Sequence, residues 1–152
     1  MATATVTTHS QSLAPSHSLA GPVVLLGRVL FALIFVMSGF NHFSGQTIAF
    51  AASQGVPLAS ILVPVSGVIA LFGGLSILLG YRARIGAWLI VLFLVGVTPM
   101  HKFWGISDPM MQQMQMVHFM KNLAMLGGAL LITQFGAGPR SLDNRSLDRR
   151  NP

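Results

Sequence analysis

The 152-residue chain is too hydrophobic and too poor in charge to be a water-soluble domain. Hydrophobic residues make up 53% of it and charged residues 8%, whereas soluble domains carry about 25% charged residues. The absence of cysteine excludes disulfides, zinc–thiolate sites and thiol nucleophiles. The net charge is +6, but the sequence has no basic patch interleaved with aromatic residues of the kind that binds nucleic acid. The charge therefore does not indicate nucleic-acid binding. This composition favours a lipid bilayer as the surroundings of the chain.

The N-terminal residues 1–20 are rich in Ser, Thr and Ala and show no hydrophobic periodicity, which predicts a disordered tail. A cleavable signal peptide needs positive charge ahead of its apolar run, and the first basic residue is Arg28. We therefore interpret the first apolar segment as a membrane helix that is retained.

Four apolar segments have lengths suited to crossing a hydrocarbon core, which takes about 20 helical residues. They span about 22–43, 57–79, 85–103 and 109–135. Pro22 and Pro109 suit the first position of a helix, Asp108 suits an N-cap and Gly80 suits a helix end. The chain is therefore predicted to be all-α, an integral membrane four-helix bundle over residues 21–136.

Smaller features refine this picture. The uncharged loop 44–56 is expected to contain a short interfacial helix near residues 48–53. In the second long segment Gly67, Ala70 and Gly74 share one side, which would let another helix approach closely. The C-terminal residues 137–152 form a basic tail with an imperfect duplication, SLDNR followed by SLDRR.

The distribution of basic residues predicts the orientation in the membrane. Arg82 and Arg84 lie between the second and third segments, and four more arginines lie in the 137–152 tail. The first loop carries no charge, and the 101–116 loop carries one lysine and one aspartate. By the positive-inside rule both termini, including the 1–20 tail, are expected in the cytoplasm.

This orientation brings three histidines to the outer layer. They are His42, His101 and His118, each delivered by a different long segment. The stretch from His101 to Asn122 also concentrates two lysines, three glutamines and five methionines beside them. Any working site is therefore expected at this end of the bundle.

The ordered motifs of the chain resemble those of the DoxX family of small bacterial four-helix membrane proteins. The resemblance covers about residues 27–150 and rests on GRVL and SGF in the first helix, GGLSILLG before the arginine turn, HKFW, FMKN and LGG. Within the family it is closest to the YphA-type inner-membrane branch, which shares the aromatic–histidine motif and the Ser-Leu-Asp-Arg tail. The resemblance implies a multi-pass protein of the bacterial plasma (inner) membrane.

What the resemblance implies about function is broader. Some relatives accompany thiosulfate or sulfide oxidation with quinone reduction, some accompany oxidative-stress enzymes, and some occur in copper-linked gene clusters. Many relatives carry a glutamate in the second helix where this chain has Ala70. A proton or cation role of that carboxylate is therefore not expected here.

The polar residues near the outer end suggest two kinds of site. His42, His101 and His118 are candidate metal ligands, because imidazole suits copper, zinc and iron, and the nearby methionine thioethers favour copper(I). Histidines at a membrane interface also serve as simple anchors, and methionine is a common filler of apolar gaps.

A quinone or an anion is the other candidate ligand. Its candidate contacts are Arg28, Trp104, Lys121 and Asn122. Ionisable residues within membrane segments are energetically costly, so their presence suggests a functional role. The plainer alternatives are snorkelling for Arg28 and Lys121, an aromatic belt for Trp104 and interhelical hydrogen bonding for Asn122. No catalytic residues are predicted, because no carboxylate except the capping Asp108 accompanies the histidines.

The leading hypothesis is a non-catalytic membrane subunit or anchor of a redox or stress-response system. The first alternative is the membrane subunit of a quinone-linked oxidoreductase of the thiosulfate or sulfide type, and the second is a copper-handling membrane protein. The expected partners are the lipid bilayer, a redox partner protein and further copies of the chain in a homo-oligomer.

Overall fold

A computed structural model describes residues 20–144, which fold into five α-helices and no β-strand within that range. They are α1 (Ala20–Asn41), α2 (Gly45–Ser53), α3 (Ala59–Leu79), α4 (Ala83–Val97) and α5 (Pro109–Phe135). The predicted tail of residues 1–20 lies outside the described residues, except for Ala20, which is helical. The second copy of the duplicated motif, SLDRR, also lies outside them.

The four long helices α1, α3, α4 and α5 are each long and apolar enough to cross a membrane. The all-α membrane bundle is thereby confirmed, and α2 takes the place of the predicted interfacial helix. Many large hydrophobic side chains on these helices point away from the protein, among them Leu26, Leu62, Leu92 and Leu131. A surface of this kind is stable in lipid and costly in water.

The end of the third span differs from its predicted position. α4 ends at Val97 and passes into a single 3₁₀ turn, Thr98–Met100, rather than continuing to residue 103. Pro99 explains the change, because proline has no N–H to donate and its ring clashes with the carbonyl of the residue four positions earlier in an α-helix. The chain from His101 to Asp108 therefore crosses the end of the bundle as an irregular loop.

Local signals fix the other helix ends. Asp108 accepts a hydrogen bond from the backbone N of Met110 (3.0 Å), which caps the start of α5. Gly80 ends α3 in the left-handed conformation with φ at 66°, where glycine carries no steric cost. Both ends agree with the sequence prediction.

Helices α1 and α3 pack through glycine. A Cβ built on Gly67 would lie 2.7 Å from the Cβ of His42 and 2.9 Å from the carbonyl of Gly39, and a Cβ on Gly39 would lie 2.9 Å from the carbonyl of Gly67. The small-residue face predicted on the second segment is therefore used, and the helix that approaches it is α1 of the same chain. This face is therefore not available to a partner protein or to another copy of the chain.

The same kind of close approach joins α3 to α4, where Gly73 and Gly86 face each other. Helix α4 in turn packs against α5, so the long helices contact one another in the order α1, α3, α4, α5. The core between them is built from small residues and a few aromatic rings. Its buried members are Ala32, Phe35, Ala70, Ile77, Ala87, Ile90, Phe93, Leu94 and Ala129.

The two ends of the bundle differ in chemistry. We call one the arginine end, defined by Arg28, Arg82, Arg84 and Arg140, and the other the histidine end, defined by His42, His101 and His118. At the arginine end residues 137–144 fold back across the helices instead of leaving the bundle. The sequence grouped them with the tail because they follow Gly136 and are polar.

Asp143, from the first copy of the duplicated motif, holds this segment in place. Its carboxylate accepts hydrogen bonds from the backbone N of Arg82 (2.7 Å) and of Ala83 (3.0 Å), and its own N donates to the carbonyl of Gly80. It therefore caps α4 from more than fifty residues away, next to a left-handed Arg82 with φ at 48°.

Candidate functional site

A cavity of about 190 Å³ lies inside the histidine end, between all four long helices and α2. Most of its wall is apolar and includes the rings of Phe35 and Phe93. The polar side chains that line it are Ser38, His42, Thr47, Ser66, His101, Lys121 and Asn122. We call it the histidine-end cavity.

The position of His42 follows from the end of α1. His42 lies in the turn after Asn41, and its Nδ1 is 2.7 Å from the carbonyl oxygen of Ser38, to which it donates. Because Nδ1 carries the proton in that hydrogen bond, Nε2 of the neutral ring is left as an acceptor. The ring also meets the edge of Phe93, with centroids 5.3 Å apart.

His101 and His118 form a stacked pair. Their ring centroids are 5.0 Å apart with an interplanar angle of 26°. Nδ1 of His101 is 2.9 Å from Oε1 of Gln115, a side chain that is only 8% exposed, and Phe50 stacks on the other side of His101. These contacts fix the His101 ring at the wall of the cavity, whereas His118 does not line it.

Lys121 and Asn122 come from the middle of α5 and have different surroundings. Lys121 is exposed and contributes to the rim of the cavity. Asn122 is 5% exposed, and its side-chain Nδ2 is buried with no hydrogen-bond partner. A buried donor left without an acceptor costs about 1–3 kcal/mol, so an acceptor oxygen placed beside this amide would be stabilised.

The histidine-end cavity has no negatively charged side chain among the described residues that line it. The chain has three acidic residues in all. Asp108 caps α5 and Asp143 caps α4, while Asp148 lies outside the described residues. The groups facing the cavity are thus suited to an acceptor oxygen or to negative charge.

The residues predicted to form one quinone or anion site are not all together. Lys121 and Asn122 line the histidine-end cavity. Trp104 lies outside it, packed edge-on against Phe103 and Phe119 in the connecting loop. The structure therefore splits the predicted set of four residues between different places.

Arg28 is the most distant member of that set, at the arginine end. It is 7% exposed, and its Nη1 and Nη2 donate to the backbone carbonyls of Ala137 (3.0 Å) and Arg140 (3.1 Å). These acceptors replace the lipid phosphates that snorkelling would have used. Its contacts hold the C-terminal segment against α1.

The three predicted metal ligands reach the same end of the bundle, and two of them form the stacked pair. Within residues 20–144, however, no group of three or more His, Cys, Asp or Glu side chains is arranged to hold a metal ion. The hydrogen bonds of His42 and His101 use their Nδ1 atoms. Any metal would have to bind through the remaining Nε2 atoms and methionine thioethers.

Two residues of this end were not predicted from the sequence. Gln115 orients His101, and Phe50 places α2 over the cavity. Gln115 precedes His118 by three positions, so helical spacing alone puts it on the histidine face of α5. Phe50 had no comparable signal, because the packing of α2 on α3 is a tertiary contact.

Comparisons with known proteins agree with this architecture. The chain is 31% identical over 130 residues to the inner membrane protein YphA of Escherichia coli (strain K12), covering 83% of this chain and 92% of that protein. It is 32% identical over 129 residues to the inner membrane protein YqjF of the same organism, covering 84% and 93%. No solved structure matches.

The sequence model of the DoxX family matches residues 23–104, which cover α1 from Val23 onward, α2 to α4 and the HKFW motif. Together with four membrane-spanning helices and two inner-membrane relatives of nearly full length, this match identifies the chain as a multi-pass inner-membrane protein that belongs to the DoxX family.

Proposed function

We propose that the protein is a non-catalytic membrane subunit of a redox system, and that its histidine-end cavity holds the ring of a lipid-soluble quinone. The observation that carries the proposal is the buried Nδ2 of Asn122, which has no hydrogen-bond partner at the wall of a largely apolar cavity. A ligand oxygen that accepts this hydrogen bond would remove the cost of the unsatisfied donor.

The shape and chemistry of the cavity support a flat apolar ligand with carbonyl oxygens. Phe35, Phe93 and Leu94 supply apolar contacts for a ring, and Asn122 supplies a donor for one of its oxygens. The ammonium of Lys121 at the rim would favour negative charge on such an oxygen. Ligand sites commonly combine an apolar wall with a few polar groups in this way.

A sulfur oxyanion fits the same donors less well. Moving a charged anion out of water into an apolar wall is costly unless several charges and donors compensate it. Lys121 is the only cationic side chain of the lining apart from the histidines. A neutral ring that carries its own apolar surface does not meet this cost.

In this proposal the chain binds and positions the quinone, and a partner redox protein exchanges electrons with it. The sequence contains no cysteine that could take part in thiol redox chemistry. The alternative of a pure membrane anchor predicts a bundle that binds partner protein but no quinone.

The direct test is the substitution Asn122→Leu. Leucine keeps the approximate volume of the side chain and removes the donor, so the fold should survive. We expect the affinity for a tailless dimethoxy-methyl-benzoquinone, measured by calorimetry on protein in lipid nanodiscs, to fall about fivefold to thirtyfold, the factor that corresponds to roughly 1–2 kcal/mol for one hydrogen bond.

The matched control is Gln113→Leu, which removes an exposed amide from the same helix outside the cavity. It should leave quinone affinity unchanged. Equal affinity in wild type and Asn122→Leu, or no binding of quinone by the wild-type protein, would overturn the proposal.

Copper handling remains a prediction of the sequence that the geometry favours less. It requires copper to remain on protein purified without chelator, and His101→Ala with His118→Ala to remove it. Metal analysis of the wild-type protein tests it, since a preparation without copper would reject the hypothesis.

A further inference from the structure

Helices α1 and α5 leave a groove open along the side of the bundle. The long helices pack in series from α1 to α5, and the first and last share no extensive contact. The groove between them has a volume of about 270 Å³. Residues that line it include Gly27, Phe31, Gly128, Leu131 and Ile132.

The groove begins about one helical turn from the histidine-end cavity. On α1, Phe31 lines the groove and Phe35 lines the cavity, with ring centroids 5.1 Å apart. On α5, Gly128 lines the groove and Met125 lines the cavity, three residues away. Cavity and groove therefore follow one seam between the same two helices.

Glycine keeps the groove open. A Cβ on Gly27 would meet no other atom within 4 Å, so the space beside it is empty. A Cβ on Gly128 would lie 2.9 Å from the ring of Phe31, so this ring already occupies the space a side chain would need. Glycine inside a helix lowers helix stability relative to alanine, and here it provides room.

We propose that this groove holds the apolar tail of the ligand whose polar ring occupies the histidine-end cavity. The inference rests on the proposed function and names the ligand class more narrowly, as an amphiphile with one ring bearing carbonyl oxygens and one hydrocarbon chain. From Ile34 at the cavity to Val24 in the groove the seam is about 15 Å long, at 1.5 Å per helical residue. The ligand enters sideways from the bilayer through this seam.

The dimensions and chemistry of the groove select this occupant. A single turn of a second helix, about 10–12 Å across and 5.4 Å long, occupies roughly 400–600 Å³, which exceeds the groove volume of about 270 Å³. The lining is apolar except for Arg28, at the arginine end of the groove, whose Nη atoms donate to the carbonyls of Ala137 and Arg140 and whose Nε is buried without a hydrogen-bond partner. A single hydrocarbon chain matches the small volume and the apolar lining beside Gly27, Phe31 and Leu131.

The experiment compares two probes that differ only in the tail. One is the dimethoxy-methyl-benzoquinone ring alone, and the other is the same ring with a decyl chain. Affinities for full-length protein in nanodiscs are expressed per mole fraction of lipid, so that partitioning of the tail into the bilayer cancels. The substitution Gly27→Leu places a side chain in the groove at a position where an added Cβ meets no atom within 4 Å.

We expect Gly27→Leu to weaken binding of the tailed quinone by about fivefold or more, as overpacking of a filled site does, and to leave the ring alone unaffected. The matched control, Gly127→Leu, adds the same side chain at a glycine of α5 that also has open space but does not line the groove. It should change neither affinity.

The outcomes separate this inference from the proposed function. Binding of the ring that depends on Asn122, together with a tailed quinone insensitive to Gly27→Leu, would overturn the groove alone. If the wild-type protein bound neither probe, both proposals would be overturned. If Gly27→Leu removed co-purified phospholipid and left quinone affinity intact, the groove would be a phospholipid site and the inference would fail.

A photoreactive diazirine on the tail gives a second measurement that needs no substitution. Crosslinks are expected on peptides containing Gly27 to Phe31 and Gly128 to Ile132. Crosslinks confined to the lipid-facing side of α3 would contradict the proposal.

Discussion

Lys121 and Asn122 are adjacent in the sequence, yet their environments give them different roles. Asn122 is buried with a free donor, whereas the exposed Lys121 can keep its ammonium in contact with water at the cavity rim. An exposed charge interacts more weakly than a buried one because water screens it. Asn122 should therefore determine whether a ligand binds, and Lys121 should adjust how tightly.

This difference predicts a smaller effect for Lys121→Ala than for Asn122→Leu. We expect Lys121→Ala to weaken tailless quinone binding by about threefold to fivefold, corresponding to roughly 1 kcal/mol or less for a screened charge. Lys121→Arg should retain most of the affinity because it keeps the positive charge. Calorimetry in nanodiscs measures all of these values.

Lys102 provides the control, since it is the other lysine of the chain and does not line the histidine-end cavity. Lys102→Ala should bind quinone as wild type does. An equal loss in the two lysine variants would indicate a general effect of charge at this end of the protein, and would contradict a local role for Lys121.

The sequence predicted the histidine end better than it predicted Arg28. His42, His101 and His118 could be placed in one layer because helix length and positive-inside reasoning depend only on composition along the chain. The partners of Arg28 are backbone carbonyls more than a hundred residues away. Every residue has a carbonyl, so no side-chain pattern marks these acceptors.

At the scale of helices, the sequence predicted helix lengths and caps, but it predicted helix packing only in part. Asp108 caps the start of helix α5 and Gly80 caps the end of helix α3, as the capping preferences of these two residues predict. The small face of α3 was recognised, but which helix would occupy it depends on the three-dimensional order of the bundle. That order is set by contacts such as Gly39 with Gly67, between segments separated by the α2 loop.

The α1–α3 contact yields a stability prediction. In Gly67→Ala the new methyl would lie 2.7 Å from the Cβ of His42 and 2.9 Å from a backbone carbonyl, so the helices must separate. We expect a loss of about 1–3 kcal/mol in the free energy of unfolding, measured by denaturation with SDS in mixed micelles.

Gly127→Ala is the control for the glycine substitution itself. Its added methyl meets nothing within 4 Å, so it should be neutral or stabilise the helix by up to about 1 kcal/mol. If Gly67→Ala were as stable as wild type, the close α1–α3 contact would not contribute to the stability of the bundle.

At the scale of the whole molecule, the two ends of the bundle differ in structure. The arginine end is closed by residues 137–144, with Arg28 and Asp143 holding the segment over α1 and the start of α4. The histidine end is covered by α2 and by a loop, and it contains the ligand-sized cavity. The proposed ligand cavity therefore lies at the end that the C-terminal segment does not cover.

The orientation of these ends in the membrane is the last prediction. Basic residues gather at the arginine end, which predicts that both termini are cytoplasmic and that the histidine end faces the periplasm. A fluorescent protein fused after Pro152 should therefore fluoresce, and alkaline phosphatase at the same position should be inactive because it folds only after export.

Alkaline phosphatase inserted after Gly105 is the reciprocal control. Gly105 has φ at 81° in the exposed loop of the histidine end, with open space around it, and the enzyme should be active there. The reverse pair of activities would place the histidine-end cavity near the cytoplasmic leaflet. Because the proposed redox partner must approach the quinone ring from the nearer side, the orientation decides in which compartment that partner is found.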